Sequence, residues 1–155
     1  MLPSTVERVP THTYSQANEA IRIQTEENIA FYSREGSDAI TRRLRELDEE
    51  WDIERTLEAN AATACLIGLA LGARVDKRWF IFPGVVAMFL LQHALQGWCP
   101  PLEVFRRLGV RTASEIDYER YALKAIRGDF EGMSGLTSNV LQNSSKRALD
   151  AARSQ

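Results

Sequence analysis

Charged residues are absent from one long apolar stretch of the sequence. Residues 79–98 read WFIFPGVVAMFLLQHALQGW and contain no Asp, Glu, Lys or Arg. In an α-helix, nineteen steps of about 1.5 Å separate Trp79 from Trp98 by about 28 Å, close to the roughly 30 Å thickness of a bilayer's hydrocarbon core. Tryptophan is enriched at both membrane–water interfaces. The pattern therefore predicts a transmembrane helix with Trp79 and Trp98 as its interface anchors.

A second uncharged run precedes this segment. Residues 59–73 read ANAATACLIGLALGA, and fifteen residues are short for a membrane span. Within the run Ala64, Gly68 and Gly72 recur every fourth residue, a small-residue spacing that lets membrane helices approach closely. A short charged turn, RVDKR, joins the two runs. Together they predict an antiparallel transmembrane hairpin at residues 59–99 that self-associates through its small residues.

Charged helices are predicted before the hairpin. Residues 1–13, with two prolines and several Ser and Thr, have the composition of a flexible arm. Residues 14–58 predict two cytoplasmic helices separated at Gly36. The second has one apolar and one mixed-charge face, so it either packs on a neighbouring helix or lies on the membrane surface with Trp51 at headgroup level. No turn residue separates it from the first membrane run, which predicts one continuous helix.

Two short helices and a tail are predicted after the hairpin. The tripeptide Cys-Pro-Pro ends the second membrane helix, because a residue before proline is forced out of helical geometry. Residues 100–130 predict short cytoplasmic helices, one ending at Gly109 and one opened by a capping box of Thr112 and Glu115. Residues 131–155 are rich in Ser, Asn and Gly and predict a mobile tail.

The numbers of Lys and Arg residues beside the hairpin set its predicted orientation, because basic residues favour the cytoplasmic side. The turn between the two runs carries three such residues. The flanks carry seven: Arg42, Arg43, Arg45, Arg55, Arg106, Arg107 and Arg111. Both termini are therefore predicted to be cytoplasmic, in a multi-pass protein of the cell inner membrane.

Polar side chains at the end of the second span are the first candidate site. If the turn is centred on Asp76, His93 lies level with the start of the first run. The geometry then predicts a polar intramembrane cluster of Glu58, Asn60, His93 and Gln96. Such a cluster either fixes helix packing through hydrogen bonds or uses His93 as a proton carrier or ligand. One histidine falls short of the three or four ligands that a metal normally takes, so no metal or other cofactor is expected.

The two cysteines differ in their predicted depth. Cys65 lies eleven residues before Asp76 and Cys99 twenty-three after it, so they differ by about 18 Å in depth. This exceeds the Cα separation of about 7 Å that a disulfide tolerates. Cys65 is interpreted as a small core residue. Cys99 is the candidate thiol, because Arg106 and Arg107 follow a few residues later and favour a thiolate.

A family resemblance rests on the residues around the hairpin. The segment begins near Asn60, passes through both apolar runs into the sequence GWCPP, and ends with LGVR at residues 108–111. Residues 55–112 resemble the YgaP-type small transmembrane domain. The resemblance implies a two-helix membrane domain that dimerises through its helices and, through relatives fused to a rhodanese, a link with sulfur transfer. This chain has helices at residues 15–57 in place of a rhodanese domain.

These patterns predict an all-α membrane protein, a two-helix transmembrane hairpin with flanking cytoplasmic amphipathic helices. The predicted function is a non-enzymatic anchor, accessory or assembly subunit whose partners are membrane lipid, a second copy and another membrane protein. The alternatives are a thiol- or sulfur-handling membrane protein using Cys99 and His93, and a soluble helical bundle with residues 61–98 as its core. A net charge of -2 without a basic stripe predicts no nucleic-acid partner. No phosphate loop or catalytic motif indicates an enzyme class.

Overall fold

The protein folds entirely into helices over the part of the chain that can be described. The computed structural model describes residues 4–131, which contain no β-strand. Their helices are α1 (Arg8–Thr11), α2 (Ser15–Glu35), α3 (Ser37–Glu49), α4 (Ile53–Arg74), α5 (Ile81–Gln96), α6 (Leu102–Arg107) and α7 (Ala113–Arg127), with a 3-10 turn at Lys77–Phe80 between α4 and α5. The all-α class is confirmed. The tail predicted at residues 131–155 lies, after its first residue, outside the described residues.

Helix boundaries that depend on local sequence lie where the sequence predicted them. Gly36, with a φ of 91°, separates α2 from α3. At the start of α7 the Thr112 side chain accepts the Glu115 N–H while the Glu115 carboxylate accepts the Thr112 N–H, which is the predicted capping box. Gly128, in the left-handed region, ends that helix.

A break at residues 50–52 corrects the prediction of one continuous helix from α3 into the first apolar run. The Asp52 side chain accepts the N–H of Arg55 (2.8 Å) and caps α4. The N–H of Ile53 donates to the carbonyl of Arg111 (2.8 Å), and the Arg111 guanidinium binds Glu50. The hydrogen bonds that stabilise this break involve Arg111, in the segment before α7. The hydrophobic pattern around residues 50–52 therefore could not predict it.

Helices α2, α3 and α7 pack into a small bundle. The apolar face of α3 is covered by α7, and the side chains in this core are Ile40, Leu44, Leu47, Ile116 and Leu123, with Tyr32 of α2 against them. Of the two interpretations of α3, packing on a neighbouring helix is therefore the one observed.

A second core lies where α4 begins and α5 ends. It contains Val9, Ile53, Leu57, Cys99 and Leu102, with Trp98, Phe105 and Val110 packed against them. Val9 belongs to α1, so the segment predicted as a flexible arm contributes a helical turn to this core. Three separate stretches of the chain, around residue 9, residues 53–57 and residues 98–110, thus meet where α4 begins and α5 ends.

Away from that core, α4 and α5 pack on each other through glycine. A Cβ added at Gly68 would lie 2.8 Å from Phe82 and Pro83, and one at Gly72 would lie 2.7 Å from Phe80. The predicted small-residue face is therefore used within the chain, where it lets α5 approach α4. Gly72 lies opposite Phe80 and Glu54 lies opposite His93, so the contacts run in opposite directions along the two helices.

The remaining faces of α4 and α5 are apolar and exposed. Two helical stretches are long and apolar enough to cross a membrane: Ser37–Arg74, which includes α3 and α4, and Lys77–Gln96. Only 17% and 6% of their apolar windows are buried inside the protein. The exposed side chains include Leu66, Ile67, Ile81, Met88 and Leu91. Among the described residues, few side chains of the segment 61–98 are therefore buried inside the protein.

Candidate functional site

His93 is the buried centre of a polar group at the base of α4 and α5. It lies in the last turn of α5 and is 1% exposed. Its Nε2 is 2.9 Å from Oε2 of Glu54, in the first turn of α4. Arg8 of α1 donates to the other oxygen of Glu54 (2.7 Å) and to the carbonyl of Ala94 (2.7 Å). The Arg8 guanidinium, the Glu54 carboxylate and the His93 imidazole thus form one hydrogen-bonded network that links α1, α4 and α5.

The carboxylate beside His93 is one helical turn earlier than the sequence predicted. Glu58, Asn60 and Gln96 are exposed, and the Asn60 side chain donates to the carbonyl of Thr56 in its own helix (2.8 Å). The structure therefore brings none of these three into the hydrogen bond at His93. The observed bond joins His93 to Glu54.

The shift in register accumulates along the two helices. Gly72 lies opposite Phe80, a pair still centred on Asp76, whereas Gly68 lies opposite Phe82 and Pro83, and Glu54 lies opposite His93, pairs centred earlier in the chain. Arg8, from the segment predicted as an arm, also holds Glu54 in place. A signal was present in the sequence: Glu54 shares a helix face with Gly68 and Gly72, at offsets of fourteen and eighteen residues.

Cys99 is buried six residues after His93. It is 4% exposed and lies within the core around Ile53 and Leu57. His93 Nδ1, the nitrogen that Glu54 does not contact, is buried and has no hydrogen-bond partner among the described residues.

The arginines expected to favour a thiolate at Cys99 are engaged elsewhere. Arg106 is buried and binds both oxygens of Glu115 (2.6 and 2.7 Å) and the side chain of Asn18 (2.8 Å). Arg107 stacks on the ring of Tyr14, 5.1 Å from its centroid.

Gly97 fixes the turn that connects His93 to Cys99. It ends α5 with a φ of 80°, and its N–H donates to the carbonyl of His93 (2.7 Å). A Cβ at this position would lie 2.3 Å from the carbonyl oxygen of Arg8. Only glycine combines this backbone conformation with so close an approach of α1. The same residue therefore positions the imidazole, the thiol and the helix that carries Arg8.

An apolar groove between α4 and α5 ends at Cys99. Its volume is about 420 Å³. Its walls include side chains of α4, of α5 and of the turn that follows: Leu57, Ala61, Phe82, Val86, Leu90 and Cys99. The groove extends from Cys99 along α5 to Phe82, and residues 82–90 of that helix span about 12 Å. Its lining is largely apolar.

The other predicted site residues lie outside the polar group around His93. The Cys65 thiol donates to the carbonyl of Pro83 (3.8 Å) and is partly buried, outside both cores. Ala64 lines the apolar groove. Trp79 is exposed in the 3-10 turn, edge-on to Phe82, whereas Trp98 is half-buried against the second core.

An ionic network in the α2–α3–α7 bundle was missed by sequence reasoning. Glu119 is fully buried and binds Arg43 of α3 (2.7 Å) and Arg111, which also holds Glu50. Burial raises the pKa of Glu119, but the hydrogen bonds that it accepts from Arg43 and Arg111 outweigh burial and lower its pKa below the usual value. The charges neutralise one another inside the bundle, so the network fixes helix packing.

Comparisons with known proteins give no information about this site. No family model, no curated protein and no solved structure matches the chain. The resemblance of residues 55–112 to a YgaP-type domain stays a prediction. Among residues 4–131, no three His, Cys, Asp or Glu side chains are grouped as a metal site would need.

Proposed function

We propose that the protein is a membrane-anchored helical protein in which α4 and α5 form a transmembrane hairpin. The observation that supports this is the contrast in burial: both cores lie in the flanking helices or at one end of α4 and α5, whereas the apolar windows are 17% and 6% buried. Apolar surface of this extent on a soluble protein would be unfavourable in water. A bilayer supplies the missing burial.

The proposed orientation places both termini in the cytoplasm of a cell with the hairpin in its inner membrane. Helices α1 and α6 meet the hairpin at the end where α4 begins and α5 ends, so the flanking helices occupy one side of the membrane. Basic residues are more numerous on that side. The 3-10 turn with exposed Trp79 then lies at the outer interface, and Trp98 lies at the inner one.

In this arrangement the hairpin anchors the α2–α3–α7 bundle as a non-enzymatic accessory or assembly subunit. Self-association, which the YgaP-type resemblance also implies, would use the outer apolar faces of the helices. Gly68 already contacts α5 of the same chain, and Gly72 already contacts Phe80 in the 3-10 turn before it. Exposed side chains available for a second copy or another membrane protein include Leu66, Ile67, Leu69, Met88 and Leu91.

Carbonate extraction and cysteine labelling of intact cells test the anchor. The protein is expected to stay in the carbonate pellet. In a Cys65→Ala/Cys99→Ala background, a charged, membrane-impermeant maleimide should label Asp76→Cys in intact cells and Ser37→Cys only after lysis. Release of the protein into the carbonate supernatant, or labelling of Ser37→Cys in intact cells, would contradict the proposal.

A second candidate function is thiol chemistry at Cys99, and the observation that favours it is the buried His93–Glu54 pair, which one tight turn at Gly97 separates from the buried thiol. An imidazole that a carboxylate orients activates thiols in enzymes when it comes within hydrogen-bond reach of the sulfur. In the Cys65→Ala background, iodoacetamide should alkylate Cys99 at neutral pH, and His93→Gln should slow the reaction by roughly 10²-fold, within the range of general-base effects. Equal rates in the two proteins would exclude His93 as the base.

A further inference from the structure

A cavity of about 370 Å³ lies between α2 and the turn that joins α6 to α7. One wall is a face of α2, where the lining residues recur every three or four positions from Ala17 to Asn28. The opposite wall comes from α3, from the residue that follows it and from the α6–α7 turn. The charged groups of the lining are four guanidinium groups and one carboxylate: Arg43, Arg106, Arg107, Arg111 and Glu50. This excess of positive charge favours an anion.

Three of the four arginines are bound to carboxylates of the protein. Arg43 and Arg111 share the buried carboxylate of Glu119. Arg106 binds both oxygens of Glu115 through its terminal nitrogens (2.6 and 2.7 Å). Its Nε is buried and has no hydrogen-bond partner among the described residues, although Arg106 is only 1% exposed. One buried N–H in the cavity wall is therefore left without an acceptor.

Arg107 is the fourth cation of the wall, and it has no anionic partner among residues 4–131. Its guanidinium lies over the ring of Tyr14, 5.1 Å from the ring centroid. Stacking covers one face of the planar group, and the N–H donors lie in its plane. The ring thus holds a charged donor at the cavity without neutralising it.

We propose that this cavity binds a phosphate group, with Arg107 as its principal contact and the Nε of Arg106 as a second donor. A phosphate carries several acceptor oxygens, so it can accept hydrogen bonds from two arginines at once. The planar fork of a guanidinium matches the spacing of phosphate oxygens. The volume of the cavity is within the roughly 300–1,000 Å³ range of small-molecule sites, so it also accommodates groups attached to the phosphate.

The position of the cavity favours an anionic phospholipid headgroup as the source of the phosphate, and the choice of a lipid rests on the proposed membrane anchor. Arg106 and Arg107 belong to α6, whose Leu102 lies in the core at the base of α4 and α5. Leu108 in the cavity wall is 74% exposed, and Val104, one helical turn earlier, is 57% exposed. Apolar side chains beside arginines are typical of surfaces that contact anionic lipid.

Inorganic phosphate is the probe for the binding chemistry. The full-length protein, purified in a non-ionic detergent and a phosphate-free buffer, is titrated with inorganic phosphate, and ³¹P NMR measures binding. Arg107→Ala should weaken binding by roughly tenfold or more, because it removes a charged hydrogen-bond donor. Arg55→Ala is the matched control and should leave binding unchanged. The Arg55 guanidinium also lies over an aromatic ring, that of Trp51 (4.2 Å), but outside the cavity.

A matched pair of added charges tests whether the cavity itself is the site. Gln24 lies in the α2 wall of the cavity, and Ile23 is exposed on the neighbouring face of α2. Gln24→Glu places a carboxylate opposite the arginines and should weaken phosphate binding severalfold, whereas Ile23→Glu should have little effect. Equal effects of the two substitutions would show a response to net charge alone and would exclude the cavity. Circular dichroism confirms that each variant retains its helix content.

Phospholipid nanodiscs test the source of the phosphate. The protein is reconstituted in nanodiscs of phosphatidylcholine with phosphatidylglycerol, and native mass spectrometry then counts the lipids that it retains. The wild type and Arg55→Ala should retain one phosphatidylglycerol in preference to phosphatidylcholine. Arg107→Ala and Gln24→Glu should lose this preference.

The outcomes distinguish the site, its source of phosphate and the membrane anchor. If inorganic phosphate binds in an Arg107-dependent manner but no phosphatidylglycerol is retained, the phosphate site stands and the lipid source is excluded. If neither binds in an Arg107-dependent manner, the whole proposal is overturned. Release of the protein by carbonate would refute the anchor, and with it the lipid source, but would leave the phosphate titration in detergent valid.

Discussion

Gly97 is the residue whose replacement the local geometry tolerates least. Its φ of 80° is disfavoured for side-chain-bearing residues, and a Cβ would lie 2.3 Å from the carbonyl oxygen of Arg8. Gly97→Ala should destabilise the protein by about 1–3 kcal/mol, the range for a residue held in such a conformation. Gly84→Ala is the matched control, because Gly84 has open space around it inside α5. Thermal unfolding in detergent should show a lower Tm for the first variant and an equal or higher Tm for the second.

Glu119 neutralises two arginines inside the bundle, and its replacement should lower the free energy of unfolding. In Glu119→Gln the guanidinium groups of Arg43 and Arg111 would remain largely buried without their shared anion. Removing one partner of a buried ion pair typically destabilises by about 3–5 kcal/mol. Glu46→Gln removes an exposed partner of Arg43 and should change stability by less than about 1 kcal/mol. Denaturant unfolding measures both, and similar losses would show that the buried network is not the stabilising part.

At the scale of helices, the contact between α4 and α5 depends on their glycines. Gly68→Leu would drive a side chain into Phe82 and Pro83, whereas Gly84→Leu enters open space. Overpacking of this kind costs about 1–3 kcal/mol, so only Gly68→Leu should lower the Tm. Because the contact is within one chain, the difference should not change with protein concentration. A concentration-dependent difference would show that Gly68 contacts a second copy instead.

The α3–α4 break depends on the cap that Asp52 provides. Asp52→Ala removes the acceptor of the Arg55 N–H and should destabilise the protein by about 1 kcal/mol. Glu49→Ala, at the exposed end of α3, leaves the cap intact and should have a smaller effect. Denaturant unfolding of the two variants compares them. A loss with Glu49→Ala as large as that with Asp52→Ala would argue against a specific cap.

Local signals allowed part of this architecture to be predicted, and distant contacts explain the rest. The capping box of Thr112 and Glu115 was found from the sequence because its two partners lie three residues apart. The break before Ile53 was missed because its hydrogen bonds come from Arg111. His93 and Cys99 were identified as candidates from their residue types and positions in the sequence, whereas the carboxylate beside His93 depended on the helix register, which shifts along α4 and α5.

For the whole molecule, the positions of its buried carboxylates predict that the α2–α3–α7 bundle unfolds first when the pH is lowered. In the bundle, burial raises the pKa values of Glu115 and Glu119, but their arginine partners outweigh it and lower both below the usual value of 4.5. A carboxylate with a lowered pKa in the folded state stabilises it above the unfolded pKa, and this contribution is lost as pH falls through the folded value. Away from the Glu54–His93 pair at the base of α4 and α5, the contacts that α4 makes at Gly68 and Gly72 involve no ionisable group.

Stability of the α2–α3–α7 bundle should therefore decrease as pH falls below about 4.5, while the packing of α4 on α5 persists. Hydrogen exchange, corrected for the intrinsic effect of pH, should show protection lost first in α3 and α7 and retained in α5. Glu119→Gln should reduce the pH dependence, because one of the titrating groups is gone, and Glu46→Gln should leave it nearly unchanged. Simultaneous loss of protection in α5 and α7 would show that the bundle and the apolar helices unfold as one cooperative unit.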